Sequence, residues 1–135
     1  MTSGCVRFKP GADLRGLAPA GVRMLAALDL VAQHGGRDLT VTCGTDSHGP
    51  DDPHTRGCAL DVRTSALTDD ETLTVYDNLR KLLGYEFTVL YEVPAKPAGV
   101  LAGIAYVNPA ASGPHFHLQV RKGYRGSWPD GEVTT

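Results

Sequence analysis

Apolar side chains recur at Val22, Leu25, Leu28 and Val31, the spacing of one helical face. They predict a helix that opens at Pro19, where a missing N–H costs nothing, and stops at Gly35-Gly36. Leu39-Thr40-Val41-Thr42 then reads as a short strand ending at Gly44, and residues 45–57, rich in Asp, Ser, Gly and Pro, read as a loop. From Cys58 to Arg63 the pattern alternates: Cys58, Leu60 and Val62 face one side, Ala59, Asp61 and Arg63 the other. Thr68 and Glu71 form a capping box that opens a second helix, with Leu73, Tyr76, Leu79 and Leu83 as its apolar face and Gly84 as its end. Three further β-like runs follow, Glu86–Glu92, Val100–Val107 and His115–Val120, with a turn-rich segment at 108–114. Residues 1–17 are aperiodic and read as an extended lead-in. This order predicts an α+β fold with two main helices and a small, mostly antiparallel sheet.

A chain of 135 residues without repeats, low-complexity tracts or linkers is expected to be one domain, 1–135, with its core over about 18–121 and a tail at 122–135. The net charge of -2 argues against a nucleic-acid surface, which needs a basic excess. No apolar run reaches the roughly 18 residues of a membrane span, and the N-terminus lacks the apolar stretch of a secretory signal. The expected partners therefore include neither nucleic acid nor membrane, and synthesis in the cytoplasm is expected. Cys5, Cys43 and Cys58 are odd in number and lack CxxC spacing, so reduced thiols are expected rather than a disulfide framework.

Candidate chemistry lies in the histidines, of which there are five. His54 opens an HxxGxAxD pattern that ends at Asp61, and His115-Phe116-His117 is an HxH. Zinc takes imidazole nitrogen and carboxylate oxygen, and its catalytic sites use three protein ligands. His54 and Asp61 can meet at one metal if the chain turns at Gly57. In a strand, His115 and His117 share a face, so one can bind the ion while the other stands beside it and Phe116 enters the core. His34, at a helix end, is a partner for the helix dipole.

Over about residues 38–121 these motifs resemble the superfamily of lysostaphin-type peptidases, D-alanyl-D-alanine metallopeptidases and the Hedgehog signalling domain. The D-alanyl-D-alanine branch carries an SxHxxGxAxD context and a distal histidine as third ligand; this chain departs at Pro53, near the place of the Ser. Hedgehog-like and phage-type members have a further histidine six residues before the first ligand, matched by His48, and an Asp-rich helix start, matched by Thr68-Asp-Asp70. They also place a Glu after an aromatic strand, as in Phe87-Thr-Val-Leu-Tyr91-Glu92. There the HxH follows the Glu closely, whereas residues 93–114 intervene here and read as an inserted hairpin with Ala102–Val107 as one strand.

The resemblance implies a Hedgehog/D-Ala-D-Ala-peptidase-like fold and one Zn2+ held by His54, Asp61 and His117. Glu92 is the implied general base, His115 the next candidate or an oxyanion donor, and His48 a further donor or orienting group. Arg56 and Arg63 are candidate anchors for a substrate carboxylate, weighed against a solvated role. Asp46, Asp51 and Asp52 read as solvated loop carboxylates, with a calcium site as the alternative, and Tyr91 and Tyr106 as packing residues, with a hydroxyl facing the cleft as the alternative. The implied activity is hydrolysis of peptidoglycan stem peptides at D-Ala-containing or L-Ala-D-Glu-type bonds. A phage lysin or virion component reaching the wall without a signal peptide, or a cytosolic dipeptidase or carboxypeptidase, fits such a domain. Three alternatives stay open: a catalytically silent zinc or phage structural module, a structural zinc site built on Cys43, His54 and Cys58, and hydrolysis of another ester or amide.

Overall fold

The computed structural model describes residues 4–12, 14–15, 17–44 and 59–121. Among these, six strands and two helices form an α+β fold: β1 (Val6–Phe8), α1 (Pro19–Gly35), β2 (Leu39–Cys43), β3 (Ala59–Arg63), α2 (Asp69–Leu83), β4 (Phe87–Val93), β5 (Ala105–Val107) and β6 (His115–Val120). The strands make one sheet in the order β1-β2-β3-β6-β4-β5. Its three inner pairings are antiparallel, but β1 runs parallel to β2 and β5 parallel to β4, so the sheet is mixed and meets the expectation of a mostly antiparallel sheet only loosely.

Both departures come from short edge strands whose pairing no local pattern announces. The aperiodic lead-in contributes β1, joined to β2 through α1. Residues 93–114 hold no antiparallel hairpin; they hold a 3-10 turn at Gly99–Leu101 and the single strand β5. Leu101 of that turn is buried, and the turn packs against α2, so the link crosses the helical side of the sheet.

The helices cover one face only. Met24, Leu28 and Val31 of α1 and Val75, Leu79 and Leu83 of α2 pack with Leu60, Val62, Phe116, Leu118 and Val120 of the central strands. Helix α1 is rotated from the expected stripe. Ala20, Met24, Ala27, Leu28, Val31 and Ala32 are buried, while Val22 is 56% exposed. Small alanines let the helix approach the sheet closely, and the spacing of large apolar residues alone misses that face. Helix α1 ends as expected: Gly36, at φ 67°, closes it in the left-handed region and donates its N–H to the Ala32 carbonyl.

Helix α2 opens on both halves of the expected capping box. The Glu71 N–H donates to Thr68 Oγ1 at 3.1 Å, and the Thr68 N–H donates to Glu71 Oε1 at 2.9 Å. Arg37 reaches the same carboxylate at 2.8 Å and ties the helix start to the link between α1 and β2. Thr68→Ala is expected to lower unfolding free energy by about 1 kcal/mol, measured by urea denaturation, with secondary structure otherwise intact.

At the sheet edge, Asp38 accepts hydrogen bonds from the Cys5 N–H at 3.0 Å and from Arg7 Nε. The Arg7 guanidinium, and then the Cys5 N–H, hold the Asp38 carboxyl well below its usual range, at about 2. A depressed folded pKa contributes stability above the unfolded value of 3.8 and loses it as pH falls through about 2. Amide exchange at Val6–Phe8 is therefore expected to accelerate between pH 4 and pH 2 beyond its intrinsic trend, and Asp38→Asn to remove that excess.

Candidate functional site

The face opposite the helices carries the polar side chains of the central strands, set in rows by the pairing register. One row runs Arg7, Thr40, Arg63, His115, Glu92, Tyr106. The next runs Cys43, Asp61, His117, Leu90, and the third Ala59, Gln119, Thr88. Paired residues on neighbouring strands hold their Cβ atoms roughly 4.5–5.5 Å apart, so Asp61, His117, His115 and Glu92 meet without any loop having to deliver them. Their side chains are 15–19% exposed, reachable by solvent yet largely desolvated.

His117 Nδ1 stands 2.9 Å from Asp61 Oδ1, and its Nε2 stands 2.6 Å from Gln119 Oε1. With the Gln119 amide oxygen so assigned, Nε2–H donates to it, and Nδ1 turns its lone pair toward the carboxylate. Two electron-rich atoms at that distance need a proton or a cation between them. For the proton, burial disfavours the imidazolium, but hydrogen bonds to Asp61 and Gln119 and the charges of Asp61 and Glu92 outweigh it, so the His117 pKa is raised. For the cation, two ligands of a tetrahedral zinc at roughly 2.0–2.1 Å lie about 3.3 Å apart, close to the spacing found here. A metal-bound imidazole also characteristically donates its other N–H to an oxygen, the part Gln119 plays. Asp61 and His117 thus fit two of the three ligands implied by the sequence.

His54, the third, lies outside the described residues, as do His48, Arg56, Gly57, Cys58 and the aspartates at 46, 51 and 52. Among the described residues no group of three or more His, Cys, Asp or Glu side chains closes on one point.

His115 pairs with Glu92. Its Nδ1 lies 3.0 Å from the Gly113 carbonyl, which can only accept, so Nδ1 carries a hydrogen. Its Nε2 lies 2.9 Å from Glu92 Oε1 and 3.9 Å from Asp61 Oδ1. Nε2 and Oε1 are thus set at hydrogen-bonding distance, one imidazole nitrogen against one carboxylate oxygen. Asn108 Nδ2 donates to Glu92 Oε2 at 3.3 Å, and Asn108 is itself fixed by Ala110 N–H to its Oδ1 at 3.1 Å and by its own N–H to the Val93 carbonyl at 2.8 Å.

Gln119 and Asn108 were not anticipated as site residues. Gln119 continues the alternation His115, His117 on one face of β6, a signal present in the sequence. Asn108 sits in a segment that reads only as turn. Tyr91 is buried, its ring centroid 5.8 Å from that of Phe116, and burial raises its pKa; the packing role expected of it holds. Tyr106, expected to pack, is instead 53% exposed beside Glu92 on the open face.

A cleft of about 380 Å³ runs from Asp61 and His115 to Arg63 and Lys9. A larger concavity of about 640 Å³ lies among Tyr76, Arg80, Tyr85 and Arg121 and holds neither histidine of the pair nor their carboxylates. Its Arg121 guanidinium sits 4.4 Å from the Tyr85 ring centroid. The smaller cleft is lined by one member of each pair, Asp61 and His115. The chain matches no family model, no curated protein and no solved structure.

Proposed function

We propose that the protein is a zinc-dependent peptidase that hydrolyses peptide bonds in bacterial cell-wall stem peptides, with a fold of the Hedgehog/D-Ala-D-Ala-peptidase kind. One observation carries the reading: the Asp61–His117 and Glu92–His115 pairs stand side by side on the open face of adjoining strands. His54, Asp61 and His117 would hold the ion. Bound zinc supplies Lewis acidity and makes a water nucleophile available near neutral pH.

The chain's own groups do the rest. Gln119 fixes the His117 ring so that Nδ1 faces Asp61. Glu92 takes a proton from the attacking water, in contact with His115 Nε2, as water oxygen bonds to the scissile carbonyl carbon. The carbon–nitrogen bond then breaks, and the same proton passes to the leaving amine. Asn108 holds the second Glu92 oxygen, which keeps Oε1 aimed at His115. His115, with Nδ1–H committed to Gly113, has only Nε2 to offer, as a hydrogen-bond donor to negative charge on the tetrahedral carbon's oxygen.

Although residues 93–114 separate Glu92 from the HxH in sequence, Glu92 and His115 meet at 2.9 Å, which favours catalysis over a silent module. The wall substrate and a phage-type or virion-borne setting come from the motif resemblance. Metal content of purified protein, measured beside fragment release from purified peptidoglycan with and without chelator, tests the whole. About one zinc per chain with chelator-sensitive release supports the proposal. Zinc without release moves the assignment to a binding module, and absence of zinc overturns it.

A further inference from the structure

We propose that the stretch of β4 left uncovered by β5 takes up an extended acidic peptide as an added strand. This edge borders the larger concavity, apart from the histidines and their carboxylates, so the inference needs no metal and stands independently of the peptidase reading.

Strand β4 runs seven residues, Phe87–Val93, but β5 pairs only with Tyr91, Glu92 and Val93. Past the end of β5, Thr88 and Val89 line the concavity of about 640 Å³. Two hydrogen bonds fix which main-chain groups point into it. The Val93 carbonyl accepts the Asn108 N–H on the β5 side, and the Glu86 carbonyl accepts the Arg121 N–H on the β6 side. Strand alternation between them turns the N–H and C=O of Val89 away from β6, toward the uncovered edge. Val89 is only 7% exposed, yet neither group has a partner among the described residues beyond β5. Main-chain groups of buried residues are as a rule paired, and an uncovered strand edge is a template for another strand. An extended peptide laid along β4 supplies the missing donor and acceptor.

Charge selects which peptide. Arg80, Lys81 and Arg121 line the concavity against one carboxylate, Asp77, and none of the three cations makes an ion pair among the described residues. The Arg121 Nε donates to the Tyr85 carbonyl at 2.6 Å, and Arg80 lies 5.5 Å over the Tyr76 ring. A guanidinium stacked on a ring still has N–H groups for a carboxylate. Val89 packs in the core beneath the helices, and Arg80 and Lys81 belong to the last turn of α2. A peptide residue opposite Val89 carries its side chain on that same helical side of the sheet, so the acidic positions are this residue and its alternates. A second copy of the chain fits worse. Two such edges meeting about a two-fold axis would set these cations against their own copies, and so short a strand falls well below the roughly 1,200 Å² of a stable interface.

Calorimetric titration of the full chain with four blocked five-residue peptides tests this. They are alternating valine and glutamate, alternating valine and lysine, and the glutamate peptide methylated on either its glutamate or its valine nitrogens. The glutamate peptide is expected to bind several-fold tighter than the lysine peptide. It should also slow exchange of the Val89 amide, while that of Thr88, already turned toward β6, stays as it was. Because a strand offers only alternate N–H groups to its neighbour, one methylated form should lose binding and the other keep it. Loss on the glutamate nitrogens marks antiparallel addition and loss on the valine nitrogens parallel addition. Arg80→Gln with Lys81→Gln should remove the preference for glutamate without changing the fold, as read by circular dichroism. No saturable binding up to about 1 mM, equal behaviour of the two methylated forms, or a glutamate preference that survives the double variant overturns the proposal. Self-association of the chain in place of peptide uptake does so too.

Discussion

Loss of zinc from His117→Ala, and its retention in Glu92→Gln with hydrolysis sharply slowed, is the pair of results expected to have the largest effect on activity. His117 offers Nδ1 to the point that Asp61 Oδ1 also faces, so truncation removes one of the two ligating atoms there. Metal analysis after dialysis should fall from about one zinc per chain toward none, with hydrolysis falling alongside. Glu92→Gln keeps the shape and the Asn108 contact but cannot accept a proton. A general base contributes roughly 10²–10⁴-fold, and the rate should drop within that range while zinc stays bound. His115→Ala should resemble Glu92→Gln rather than His117→Ala, since its Nε2 serves the glutamate. Zinc retained at full occupancy in His117→Ala, together with loss in Glu92→Gln, would exchange the two roles and discard the assignment.

The second large effect is structural. Phe116→Ala is expected to cost about 3–5 kcal/mol of unfolding free energy, a large share of the roughly 5–15 kcal/mol that a small domain has in total. Phe116 is fully buried, its ring centroid 5.8 Å from that of Tyr91 and 6.4 Å from that of Tyr76. It is the largest side chain in the innermost core and joins β6 to both β4 and α2. Alanine would leave a cavity under the strand that carries both site histidines, and the loosened strand should lower hydrolysis below what the folded fraction accounts for. Urea unfolding measures the first effect, and activity normalised to folded protein the second. Phe116→Leu should recover most of the stability, because it refills most of the volume. An alanine variant as stable as the parent would mean that the core does not close on this ring.

Legibility in the sequence followed the range of the forces involved. The capping box at Thr68 and Glu71 was legible because both hydrogen bonds span three residues. The face of β6 was legible because strand alternation is local, and it put His115 and His117 together and Phe116 in the core. The buried face of α1 was not, because alanines carry as much of it as large residues do. Strand β1 was invisible, since three residues show no period; β5 lies within the run read as a strand, but its parallel pairing with β4, across a crossover, was not legible. Of the candidate site, the residue types and their strands could be read, but the meeting of Glu92 with His115 across 23 positions could not. Neither could the supports from Gln119 and Asn108, which exist only once the register has set the rows.

The alternation around Phe116 also governs which changes in chain length this architecture can absorb. Sliding β6 by one residue against β3 and β4 would turn Phe116 into the cleft and both histidines into the core, so the apolar face locks the reactive one in place. The link from β4 to β6 carries no such register lock, being held by the three-residue β5, by buried Leu101 against α2 and by a few turn hydrogen bonds. Lineages and protein engineers can therefore lengthen, shorten or replace much of that link and reshape the mouth of the cleft, keeping Asn108 or a substitute for it. A single-residue insertion or deletion inside His115–Gln119 has no such freedom, because it would change the core and the chemistry together.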